Sequence, residues 1–154
     1  MKKILFMILG ICLISSIALA DIDINYLANR YTRPEELGWW IVSHIWYDYD
    51  KLKNDDRHWQ TAEETLKRRK GVCRDFSVLA YEILELQGYS PFIIVYNTIK
   101  GRHAICAFQY KNQWTYISTD GYNLLDWTQL KNYIITDTKG NKMNFLMIKM
   151  MIPE

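Results

Sequence analysis

Past its first twenty residues the chain has no long apolar run and no excess of charge of either sign, and it holds only three prolines and seven glycines in all. Prolines 34, 91 and 153 punctuate one unit; there is no internal repeat, no low-complexity stretch and no Pro/Gly/Ser linker. Lys2 and Lys3 belong to the leading segment, and without them 17 basic residues face 17 acidic ones. A nucleic-acid binder carries a basic excess or stripe, so that class of partner is excluded. Cysteine is scarcer still. Only Cys73 and Cys106 lie beyond the leader, enough for one bridge and too few for a disulfide scaffold.

What is present begins with "MKKILFMILGICLISSIALA". Two lysines, an apolar run from Ile4 to Ile17 and the triplet Ala18-Leu19-Ala20 have the layout of a signal peptide cleaved after Ala20. The expected product, residues 21–154, is exported to the periplasm or beyond and has no stable membrane insertion. Ile11 precedes Cys12 where a lipid-anchor site needs a small residue. A segment of this length, rich in Trp, Tyr, Ile and Leu, suits a single domain with its own core.

The order of patterns points to an α+β fold. Thr32 with Glu35, and Pro34 between them, predicts a capped helix running toward residue 50. Polar "YDKLKNDDRH" reads as a loop. Thr61 and Glu64 form a second capping box, opening a helix that stops at Gly71, with the basic run 67–70 on its last turn. A third helix spans about Cys73 to Gln87, its apolar face carried by Phe76, Leu79, Ala80, Ile83 and Leu84, with Gly88 at its end. After Pro91 the period changes to that of strands in "FIIVYNT", "HAICAFQY" and "QWTYIST", joined by turns at Lys100-Gly101 and Lys111-Asn112. Asp126 is placed to cap a helix over 127–134, and 144–152 reads as a last strand.

Cys73 stands at the head of the apolar helix, two residues after Gly71, where free N–H groups and the helix dipole favour a thiolate. A nucleophilic thiol needs a base and the base an orienting group. Of the three histidines, His44 falls among helix aromatics and His58 in a polar loop, whereas His103 opens a strand directly after a glycine turn. Asp120 ends the neighbouring strand, and Ser118 shares its side by the two-residue strand period. The same period turns Cys106 away from His103, so Cys106 is expected to be a free, buried thiol and no Cys73–Cys106 bridge to form. Asp75, in the first helical turn, has the position of a structural cap.

Together, Thr61 and Glu64 before a short helix, Gly71-x-Cys73-x-Asp75, Leu84-x-x-x-Gly88-Tyr89, His103-Ala104 and Trp114 followed by an acidic residue resemble the transglutaminase-like superfamily of papain-related cysteine enzymes over residues 59–122. The resemblance implies a Cys73, His103, Asp120 triad, with the nucleophile helix packed on an antiparallel sheet. It implies amide-bond chemistry through a Cys73 thioester on a protein or peptide substrate, without metal or organic cofactor. Hydrolysis is favoured slightly over transfer to an amine, because no binding module is appended. In one place the sequence departs from the family: the acid there stands four residues past the tryptophan, where this chain has Ser118, and Asp120 lies about 7 Å further along an ideal strand. A non-catalytic binding or scaffold domain that keeps the fold is the alternative.

Overall fold

The computed structural model describes residues 22–54, 58–98 and 101–126, with the paired backbone segments 135–136 and 142–143. The leader, residues 127–134 and 144–152 lie outside the described residues, and with them the cleavage site, the helix expected after Asp126 and the expected last strand. Helices α1 (Ile24–Arg30) and α2 (Pro34–His44) are followed by the short strand β1 (Trp46–Tyr47), helices α3 (Tyr49–Lys53) and α4 (Ala62–Arg68), strand β2 (Lys70–Gly71) and helix α5 (Cys73–Leu86). Strands β3 (Phe92–Thr98), β4 (Gly101–Tyr110), β5 (Gln113–Ser118), β6 (Gly121–Leu124), β7 (Ile135–Thr136) and β8 (Lys142–Met143) complete the order. This is the expected α+β arrangement. No helix among the described residues is long and apolar enough to cross a membrane.

Helix α5 is the centre of the molecule. Phe76, Leu79, Ala80, Ile83 and Leu84 are at most 2% exposed and recur at helical spacing. They pack with Leu27 of α1, Leu37, Trp40 and Ile41 of α2, Ala62 and Leu66 of α4, and the sheet residues Cys106, Phe108 and Ile117. Each large apolar side chain buried this way contributes roughly 1.5–3 kcal/mol. The Gln87 amide donates to the Ala28 and Tyr31 carbonyls at 3.0 and 2.7 Å, tying the end of α1 to the end of α5.

The sheet runs β6-β5-β4-β3-β7-β8, antiparallel throughout. Its two faces follow the pleat. Cys106 and Phe108 join the helical core, whereas Ile105 and Ala107 pack with Ile94, Phe92, Tyr96, Tyr116 and Leu125 on the other side. The β4–β5 turn places both Lys111 and Asn112 at positive φ, 49° and 61°, the pattern of a type I′ hairpin, for which Asn-Gly is the preferred pair. The double substitution Lys111→Asn/Asn112→Gly is therefore expected to stabilise the fold by about 1 kcal/mol, read as a rise in thermal midpoint. An unchanged or lower midpoint would show that the turn is not strained.

Three expectations for the N-terminal half are corrected. Helix α2 is not capped by Thr32: the residue before a proline is driven to extended backbone, so Arg33, at φ −96° and ψ 125°, becomes the N-cap, and its guanidinium pairs with Glu36. The helix also stops at His44 instead of running on toward residue 50, because Trp46 N–H bonds the Arg69 carbonyl at 2.8 Å and β1 pairs in parallel with β2. The polar stretch after Asp48 is not all loop: Asp48 caps α3, accepting from Lys51 N–H at 3.1 Å. The Thr61–Glu64 capping box is formed on both sides. Its helix ends at Arg68, with Arg69 in the left-handed region, and Gly71 falls in β2.

Candidate active site

Cys73 is the first residue of α5, and the residue capping that helix is Val72, which has no side-chain acceptor. The task of closing the helix falls to Asp75, which reaches back to accept from Val72 N–H at 2.8 Å. The Asp75 carboxylate is fully buried and also accepts from Gln60 N–H at 3.0 Å and from Lys51 Nζ at 2.9 and 3.1 Å. Around this ion pair lies a polar network. The Gln60 amide donates to Thr65 Oγ1 and the Lys70 carbonyl and accepts from Arg68 and Lys51, while Asp48 pairs with Arg68 and Lys70. Gly71 is required by contact: a Cβ there would stand 2.7 Å from Asp75 Cβ. The structural role expected of Asp75 is thus larger than a helix cap. Lys51, which sequence reasoning left in a solvated loop, is its buried partner.

An apolar N-cap leaves first-turn amides directed at the site. The Arg74 N–H bears on the Cys73 sulfur, and so does the backbone N–H of Ala104 on β4, which puts the thiol beside the residue next to His103. Burial nevertheless holds the Cys73 thiol above its ordinary value, outweighing both amides and the Arg74 charge. The depression expected from the helix terminus alone is overridden by desolvation.

His103 faces Tyr96 across the β3–β4 register, their rings meeting edge-on at 5.5 Å. Its Nε2 lies 3.0 Å from Ser118 Oγ, and Ser118 is fully buried as the last residue of β5. Asp120 is exposed in the turn that follows and acts on His103 through its charge. Burial is the larger influence and sets the imidazole below its ordinary value, with the Asp120 carboxylate opposing it. The structure therefore joins His103 to Ser118, sets the Ala104 amide on the Cys73 sulfur, and leaves Asp120 exposed in the turn beyond. His44 stacks on Trp40 with ring centres 4.6 Å apart, and His58 pairs with Glu64 at 3.1 Å. Cys106 is completely buried on the sheet face opposite His103, and both described cysteines are free thiols.

A cysteine at the head of the central helix, its sulfur at the Ala104 amide beside His103 in sequence, on helices packed over an antiparallel sheet, agrees with a family model described as a transglutaminase-like domain, which matches residues 22–148. The chain belongs to this transglutaminase-like family. The match extends the resemblance well beyond residues 59–122, to α1 and α2 on one side and past β6 on the other. Relatives include a UPF0252 protein of Pyrococcus furiosus, 38% identical over 46% of this chain and 22% of its own length. Another, from Pyrococcus horikoshii, is 38% identical over 42% of this chain and 20% of the relative. A third, from Methanocaldococcus jannaschii, is 31% identical over 57% and 29%. The chain thus spans less than a third of each relative. A crystal structure of a TGase superposes with a TM-score of 0.48 at 14% identity, covering 75% of this chain and 38% of that one.

Proposed function

We propose that this transglutaminase-like domain is an exported cysteine enzyme that opens amide bonds of a protein or peptide through a Cys73 thioester. The observation that carries the proposal is the meeting of the Cys73 thiol with the backbone amide of Ala104, the residue after His103, whose Nε2 is held by Ser118. With the thiol raised and the imidazole lowered, the resting pair is neutral. His103 then acts as a general base, taking the thiol proton as sulfur attacks the carbonyl carbon and returning it to the leaving nitrogen. The Cys73 N–H, in the uncapped first turn, is placed to bind the developing oxyanion. Export rests on the leader over residues 1–20 and places the enzyme in the periplasm or outside the cell.

Purified protein mixed with p-nitrophenyl acetate is expected to release p-nitrophenolate in a burst and to carry an acetyl group on Cys73 that neutral hydroxylamine removes. Cys73→Ala is expected to show neither. The burst rate rises with pH as His103 loses its proton; because burial lowers that imidazole, its half-point falls below the ordinary 6.5. Decay of the acetyl enzyme in water, compared with decay in added alkylamine, separates hydrolysis from transfer. The raised thiol and the neutral Ser118 favour one competing function, a binding domain that keeps the fold. It would leave Cys73 unacylated.

A further inference from the structure

Of the large apolar side chains left at the surface, Trp46, Tyr49 and Leu52 fall within one short stretch upstream of the nucleophile helix. Trp46 stands on β1 and by the strand pleat turns away from Tyr47. Tyr49 and Leu52, 74% and 56% exposed, are three positions apart on α3 and so share one face of it. That face is continuous with the site. The Tyr47 and Tyr49 rings meet at 4.9 Å, and Tyr47 lies in register with Gly71, two residues before Cys73, near enough for its phenol to sense the charge of a thiolate there.

Single exposed apolar residues are ordinary, but neighbouring ones beside a reactive group mark a surface that a ligand covers. Packing of α3 does not account for them, since the buried residue of that helix is Lys51, whose ion pair with Asp75 fixes α3 to the nucleophile helix from the other side. The exposed charges alongside, Asp50 and Lys53, are of opposite sign, so the patch favours a neutral partner. In a peptide held with its carbonyl at the sulfur, side chains one or two places away are displaced by about 3–7 Å. That is the scale of one ring contact along this surface. We propose that the Tyr49–Leu52 face selects the substrate, taking a large aromatic or branched apolar side chain next to the amide that is opened. The proposal rests on the acyl-transfer function above and adds a substrate class to it: peptides with a bulky apolar residue beside the scissile bond.

Alkylation tests the surface without calling on acyl transfer. Iodoacetamide and its N-phenethyl derivative carry the same reactive group, and their rates at Cys73 of the full-length protein are compared by mass analysis of the labelled peptide. Wild type is expected to react roughly tenfold faster with the phenethyl reagent, as one aromatic contact allows. Tyr49→Ser and Leu52→Ser are each expected to reduce this preference, and the double variant to abolish it. Using the ratio of the two rates cancels any change in the reactivity of the thiol itself. Leu86→Ser alters an exposed leucine at the opposite end of α5, about 20 Å from Cys73, and is expected to keep the preference. A ratio near one in wild type, or a preference kept in the double variant, overturns the proposal. So does an equal loss in Leu86→Ser. A preference for the phenethyl reagent in a protein that p-nitrophenyl acetate never acylates upholds the surface and overturns the acyl-transfer function.

Discussion

Lys51→Met is expected to destabilise the domain by about 3–5 kcal/mol, the usual cost of removing one partner from a buried ion pair. For a domain of this size that lowers the thermal midpoint by more than ~10 °C. Lys51 and Asp75 have side-chain exposures of 2% and 0%, so solvent screens the pair very little. Without the ammonium, the carboxylate keeps the Val72 and Gln60 amides and the more distant Arg74 guanidinium, 4.0 Å away, for its charge. Lys53→Met, at an exposed position on the same helix, is the control and is expected to leave the midpoint nearly unchanged. If both variants melt alike, the Lys51–Asp75 pair adds nothing that its desolvation does not remove. The effect also reaches the chemistry, since the same carboxylate holds the first turn from which Cys73 projects.

His103→Ala is expected to lower the acylation rate by about 10²–10⁴-fold, the range for loss of a general base. Its orienting group is decided by two milder variants. Ser118→Ala removes the 3.0 Å contact to Nε2 and is expected to slow the reaction by up to roughly tenfold, in keeping with a neutral hydrogen bond of about 1 kcal/mol. Asp120→Asn removes an exposed charge that raises the His103 pKa. It is expected to shift the acid limb of the pH profile downward, with a smaller loss at the plateau than Ser118→Ala causes. A larger loss in Asp120→Asn would make the carboxylate, after movement of its turn, the group that orients the imidazole.

Much of this was legible from residue patterns, and the failures share a cause. Helix α5 and strands β3 to β5 have strong, unbroken periods, so their faces and even the turn of Cys106 away from His103, into the core, followed from spacing. Helix α1 has only seven residues and two buried positions, Leu27 and Ala28, too few for a period to show. The end of α2 was hidden because its stop comes from pairing with β2, which lies more than twenty residues further along the chain. Lys51 was misread for the same reason. A lysine between Asp50 and Leu52 in a charged stretch gives no sign that its partner is Asp75, 24 positions away. At the site, Cys73 and His103 were visible as residue types at element starts. The choice between Ser118 and Asp120 was not, because charge argued for the aspartate while the hydrogen bond is set by where β5 ends.

Val72 carries a consequence for how this domain tolerates change. A Ser, Thr, Asp or Asn at an N-cap typically strengthens a helix by about 1 kcal/mol, and this chain forgoes that gain at the start of its central helix. A side-chain oxygen there would compete with sulfur and substrate for the amides of the first turn. Under the proposed function, a more stable helix start and a reactive thiol therefore make opposite demands on position 72. Thermostabilising changes belong in the hairpin at Lys111-Asn112, where stability and reactivity are uncoupled.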